Sequence, residues 1–269
     1  MEVESTGKSS VDKDNVRKVM GIIQKRLEFR GITDVQIKQK GDKRLVIYAK
    51  GIEDIDEVTK LIVNSFRLEF KLVDDEHSLE KAIEGKIPPG DEILYEYKVE
   101  GGEVVKIPYL IRKKTLLTGD LLEKADVVID KQFNQLLISI RFNESGKRLF
   151  AGITKKAVMK RLAIVLDGNV ISAPVIREEI KDGKAQISGS FNQEDARDIV
   201  IALNSGPLPI AVKVLKKEDA ESAEEKLSPF PSDRSMPLVV KSDVDEIPSV
   251  KVKLHKNAYA IVIGIENYR

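Results

Sequence analysis

The chain has 269 residues, enough for one large domain or two small ones with a sizeable core. Its 45 Lys and Arg nearly cancel its 44 Asp and Glu, so no overall field draws it to nucleic acid or to an anionic membrane. Cysteine is absent and histidine is limited to His77 and His255, which removes disulfides, thiolate nucleophiles and sulfur-ligated metals and leaves almost no material for a histidine metal cage or a conventional triad.

Apolar runs such as 199–203 and 260–265 fall far short of the ~20 residues that a membrane-spanning helix needs. The opening MEVESTGKSSVDKDNVRK lacks the apolar centre and small-residue cleavage site of a secretory signal, and residues 1–13 read as a disordered N-terminus. From Val16, apolar residues recur at Met20, Ile23 and Leu27, which predicts an amphipathic helix ending near Gly31. Val35 and Ile37 alternate with polar neighbours, Gly41-Asp42 supplies a turn, and 45–49 reads as a more buried strand, so the pair predicts a hairpin. Ile55, Val58, Leu61 and Ile62 return to helical spacing, and Leu68, Phe70 and Leu72 alternate at period two. Residues 14–73 therefore read αββαβ.

The texture changes over 74–115, with an acidic Asp74-Asp75-Glu76, a short helix at 79–83, Pro88-Pro89-Gly90 and two strand-like runs around Gly101-Gly102. This stretch reads as an insertion carrying its own hairpin. Tyr95, Tyr97 and Tyr109 lie in it; edge-strand packing explains them, and so does an aromatic binding surface. Strand–helix alternation resumes with DVVIDKQ and LLISIRF, a helix over 143–158 capped by Asn143, and a hairpin turned at Asp167-Gly168. A short strand follows at 185–188, then a helix headed by Asn192 with Asp195 at the capping-box position, stopped at Gly206-Pro207 before a last strand at 208–214. Two such α/β units, each expected to form one sheet with helices on one face, predict an α+β fold of ferredoxin-like type. Residues 216–250 read as a flexible linker, and AYAIVIGI as an isolated C-terminal strand that needs a partner for its backbone groups.

Candidate chemistry is sparse. The adjacent carboxylates Asp74-Asp75, Glu178-Glu179 and Glu194-Asp195 read as solvated surface, and Ser172 lacks a nucleophile elbow or a nearby histidine. Lys155, Lys156, Lys160 and Arg161 suit either a helix C-terminus or an anion. His77 and His255 read as surface histidines. No P-loop, dinucleotide fingerprint, zinc-protease motif or EF-hand occurs, so no catalytic residue, no metal and no cofactor is expected, and the chain reads as a non-enzyme.

Several stretches carry a family pattern: VRKVMGIIQKRLEFRGITDVQI, LEFKLVDDE, LLTGDLLEKADV, RLAIVLDGNVISAPVIRE and KAQISGSFNQEDARDIVIALNSGPLPI. In collinear order over residues 14–215 they resemble the large extracytoplasmic domain of SecD, an accessory subunit of the bacterial protein-secretion machinery. The resemblance implies a base made of 14–73 and 116–215, a mobile head at 74–115, a location on the periplasmic face of the membrane, and secreted polypeptides and Sec translocon subunits as partners. It also implies that the head grips unfolded chain, for which Tyr95, Tyr97 and Tyr109 are the candidate polypeptide-binding residues, acting with strand edges. The membrane helices that SecD carries, with their proton-conducting carboxylates, have no counterpart in this sequence. The tail NAYAIVIGIENYR resembles the opening strand of caspase-like cysteine peptidases, which makes 251–269 the start of a truncated caspase-like domain. The alternative function is then a targeting or sensing module ahead of such a peptidase, with no peptidase residue assignable here.

Overall fold

The computed structural model describes residues 13–41, 44–131, 135–219 and 258–265. Helix α1, Lys13–Arg30, buries Val16, Val19, Ile23 and Leu27 along one stripe and ends where Gly31 adopts φ 93°. Strands β1, Val35–Gln39, and β2, Arg44–Lys50, form the expected antiparallel pair with Ile37 opposite Ile47. Helix α2, Ile55–Val63, starts at Asp54, whose carboxylate accepts from the amides of Asp56 and Glu57.

Strand β3, Leu68–Leu72, departs from the expectation of one sheet per unit, because it does not join β1 and β2. It enters a central sheet with β4, Asp91–Glu100, β5, Glu103–Arg112, β6, Leu117–Thr118, β9, Leu162–Leu166, and β10, Asn169–Ser172, in the order β5-β4-β10-β9-β3-β6. The short helix α3, Leu79–Ile83, precedes β4. A third sheet, β11-β8-β7, is built from β7, Leu122–Ile129, β8, Leu136–Phe142, and β11, Lys184–Ser188. Asn143 caps α4, Glu144–Lys156, and Asn192 caps α5, Gln193–Ser205, as their sequences predict.

The tail strand is not isolated. Strand β13, Ala258–Ile265, lies between β2 and β12, Val212–Asp219, antiparallel to both, so its backbone groups are paired on each side. The first sheet therefore runs β1-β2-β13-β12. Residues 216–219, expected in the linker, continue β12. Lys13, placed in the disordered N-terminus, begins α1; residues 1–12, 220–257 and 266–269 lie outside the described residues.

Two main cores result. The first packs Val19, Ile23 and Leu27 of α1 against Leu45, Ile47, Ile62, Ile261 and Ile263. The second surrounds Phe70, Phe142 and Phe150, whose ring centroids lie 5.0–5.9 Å apart in edge or tilted contacts, and draws on β3, β6–β9, β11, α4 and α5. Asn204 of α5 bonds both the N–H and the C=O of Ala125 on β7, at 2.8 and 2.9 Å, which fixes that helix to the third sheet.

A buried cation bridges the cores. Arg26 of α1 is 0% exposed, and its guanidinium donates to the carbonyls of Leu61, Asn64, Ser65 and Gly206, at 2.8, 2.6, 3.3 and 3.2 Å, and to Ser205 Oγ at 3.3 Å. These acceptors are the ends of α2 and α5, where carbonyls lack intrahelical donors and the helix dipole favours a cation. Burial pushes the guanidinium down to about 10, against the pull of Asp167, so it remains charged at neutral pH. Arg26→Lys keeps the charge but loses the planar fork of donors, leaving several buried carbonyls unbonded. It is expected to lower unfolding free energy by about 2–4 kcal/mol, read as a lower urea midpoint at unchanged slope.

Candidate functional site

Strands β4 and β5 pair along their whole length, from Asp91 opposite Arg112 to Glu100 opposite Glu103. The two-residue turn between them, Gly101 at φ 61° and Gly102 at φ 88°, needs positive φ at both positions, which explains the glycine pair. Period-two alternation places Tyr95, Tyr97 and Val99 on one face with Val104, Lys106 and Pro108, and Glu96, Val105, Ile107 and Tyr109 on the other. Burial falls towards the turn: Leu110 and Ile111 are in the core, whereas Tyr97 is 49%, Val99 65% and Val104 68% exposed. The hairpin is rooted in the central sheet, where β4 pairs in parallel with β10 at Tyr95 opposite Asn169. Strand β5 is the sheet edge, so residues 103–107 offer backbone donors and acceptors with no neighbouring strand among the described residues; Pro108 contributes no N–H.

The three tyrosines do not converge. Tyr95 is half-buried under Lys106, whose Nζ lies 3.6 Å from the ring centroid, a cation–π contact. Tyr97 faces solvent and lines a cleft of about 390 Å³ with Leu61, Phe66, Leu166, Phe191 and Ile199, rimmed by Asp167, Asp195 and Asp198. Tyr109 sits on the opposite face, where its hydroxyl donates to Glu96 Oε2 at 2.7 Å and Arg161 lies 5.7 Å from its ring. Burial, with the Glu96 carboxylate beside it, pushes the Tyr109 phenol up to about 12.

The floor of this cleft is positioned by a residue whose sequence context signals only a turn. Asp167 at φ 48° and Gly168 at φ 80° make the β9–β10 turn as predicted, but the Asp167 carboxylate also accepts from the amides of Phe66 and Arg67 at 2.9 and 2.8 Å, and from Ser65 Oγ. Phe66 itself is at φ 51° and stacks against Arg26. The turn thus holds the 64–67 connection from one side while Arg26 holds it from the other.

At the hairpin root the expectation of solvated carboxylates fails for Asp74. It is 4% exposed and accepts from the amides of Glu76 and His77 at 2.8 and 3.2 Å, His77 Nδ1 at 2.8 Å and Arg112 Nη2 at 3.1 Å. Although burial alone would raise it, the contacts with Asp91, His77 and these amides hold the Asp74 carboxyl well below the usual carboxylate range. His77 is exposed, as expected of a surface histidine, and also bonds a buried group. The neighbouring Asp75 pairs with Arg161 and Glu76 with Lys160, so those two cations of the basic cluster are held by the acidic run. Glu194 binds Arg30 at 2.9 Å, a cation shared with Glu57 and Asp198 that links α1, α2 and α5.

Fold and site together define a class: an α+β domain of two lobes that presents an apolar-tipped hairpin at a sheet edge. Its family follows from the likenesses. Residues 16–75 match the family model described as protein translocase subunit SecDF, P1 domain, N-terminal, and residues 92–210 match that of the SecDF P1 head subdomain. SecD of Calditerrivibrio nitroreducens is 42% identical over 219 residues, covering 77% of this chain and 42% of that protein. SecD of Desulfurispirillum indicum is 39% identical over 204 residues, covering 75% of this chain and 40% of that protein. A SecDF crystal structure in a super-membrane-facing form superimposes with TM-score 0.63 at 31% identity, over 77% of this chain and 28% of that one. A second structure, of SecDF as a membrane component that enhances protein export, gives TM-score 0.56 at 28% identity, over 76% of this chain and 92% of that one. The chain belongs to the SecD family and carries its P1 domain. It spans 42% and 40% of the length of the two named SecD relatives. Among the described residues no helix is long and apolar enough to cross a membrane.

The raised Tyr109 phenol means that the folded state holds this proton more tightly than the unfolded chain. Its contribution to stability is present below the ordinary tyrosine value near 10 and is lost as pH rises towards 12. In an alkaline absorbance titration one tyrosine is expected to ionise near 12 and to vanish from the curve of Tyr109→Phe, whose stability should also fall less over that window.

Proposed function

We propose that this chain serves protein translocation as the P1 domain of a SecD-type subunit on the periplasmic side of the cell membrane, with the β4–β5 hairpin contacting the passing polypeptide. In this reading the domain works by contact and turns over no substrate. The observation that carries it is the free edge of β5, flanked by exposed Val104 and Val105 and backed by Tyr97. An unfolded polypeptide offers unpaired backbone groups in every residue, so an added strand along 103–107 would bind it with little regard to sequence. The small apolar side chains at the tip would add weak, non-directional attraction suited to a chain that must move on.

The head expected at 74–115 contains this hairpin and overlaps the stretch that matches the head-subdomain model, residues 92–210. The base is proposed to dock on translocon subunits. Tyr97 is the best placed of the three candidate tyrosines, since Tyr95 and Tyr109 are engaged with Lys106 and Glu96. The alternative of a sensing module ahead of a caspase-like peptidase has no observation in its favour: β13, which carries that likeness, completes the base sheet.

A photo-crosslinking residue at Val104, in a membrane-embedded SecD subunit carrying this chain, is expected to label a stalled secretory polypeptide, whereas one at Gln39 on the outer base strand should not. Labelling from Gln39 alone would reject the hairpin as the contact.

A further inference from the structure

Where the hairpin leaves the fold, three potential metal ligands meet. Asp74 follows β3, His77 lies three residues on, and Asp91 opens β4; one ligand atom from each falls within 4.8 Å of the others. Acidic clusters are common, but this one contains a buried group with unmet demands. Asp91 is 2% exposed, no N–H donates to either of its oxygens, and burial beside the Asp74 carboxylate holds its carboxyl above the usual range. Arg112 is bonded to Asp74 and to Glu76 and approaches Asp91 only to 3.8 Å, so a single guanidinium serves two fully buried carboxylates. A carboxyl buried there must either keep a proton, shared with Asp74, or gain a cation in that proton's place.

We propose that Asp74, His77 and Asp91 bind a divalent transition-metal ion, best met by Zn²⁺, at the root of the hairpin. One imidazole and two carboxylates are a borderline donor set that suits Zn²⁺ and leaves a coordination position for water, whereas Mg²⁺ and Ca²⁺ call for all-oxygen shells of six or more. Zn–N and Zn–O bonds of about 2.0–2.2 Å require ligand atoms roughly 3–4 Å apart, so side-chain rotation closes the present spacing. The half-exposed His77 ring gives the ion a path in, and Arg112 keeps its bond to Glu76 when displaced from Asp74. Bound there, the ion would cross-link the 74–77 segment to the first residue of β4. The hairpin base would then be tied by metal bonds as well as by the bridge between Val73 and Ile111, the Asp74 amide's bond to the Leu110 carbonyl and the Arg112–Glu76 pair.

The test uses the 269-residue chain, stripped with chelator and titrated with ZnCl₂ by calorimetry, alongside Asp91→Asn and His77→Ala. One saturable site per chain is expected, with a zinc-dependent rise in melting temperature. Asp91→Asn can donate to Asp74, so it should melt no lower than wild type in chelator yet show no zinc response. His77→Ala should bind at least tenfold more weakly. Absence of a saturable site, equal binding by Asp91→Asn, or an equal response to MgCl₂ would each overturn the proposal.

Discussion

The Arg26 guanidinium is the point at which the two lobes become one structure. Its acceptors come from the end of α2, the 64–65 connection and the end of α5, so one side chain from the first helix closes backbone demands that arise far along the chain. Placing a fixed charge where no water reaches is costly, and the cost is offset only because nearly every donor finds a carbonyl. This makes the geometry of the 64–67 segment obligatory rather than adaptable. Phe66 then takes its left-handed conformation, Asp167 bonds the amides that follow, and β3 is launched away from β1 and β2 into the central sheet.

The elements themselves were legible because each depends on local periodicity and caps. The stripe of α1, the Asn143 and Asn192 caps and the Gly101-Gly102 and Asp167-Gly168 turns are short-range signals, and all occur where the residues place them. Sheet membership was not legible. The alternation of Leu68, Phe70 and Leu72 specifies a strand with one apolar face, but the same pattern fits either sheet, and the choice rests on contacts with residues about 90 positions distant. The tail strand illustrates the same limit, since its apolar character demanded partners without naming β2 and β12.

The candidate site was half legible. The tyrosines were visible by composition, yet their faces depend on a register that fixes Tyr95 opposite Pro108 and Leu94 opposite Tyr109. Asp74 and Asp91 gave no signal, because burial of a carboxylate is decided by what packs over it. The acidic 74–76 run looked like a solvated surface and the basic pair at 160–161 like a helix-end or anion-binding cluster; brought together across the central sheet they largely satisfy one another. A nearly neutral chain can therefore carry strong local order in its charges without any long-range field.

The position of β13 has a consequence for how the polypeptide is made. The strand fills the middle of the base sheet, yet it emerges from the ribosome after every other described element. Until it does, β2 and β12 must wait with a vacant slot between them, each exposing a row of unsatisfied amides and carbonyls to whatever extended segment is nearby. The core around Phe70, Phe142 and Phe150 can mature during synthesis, but the β1-β2-β13-β12 sheet can only be sealed as a late event, which makes that interval the moment when a chaperone, or a mispaired neighbour, would find its opening.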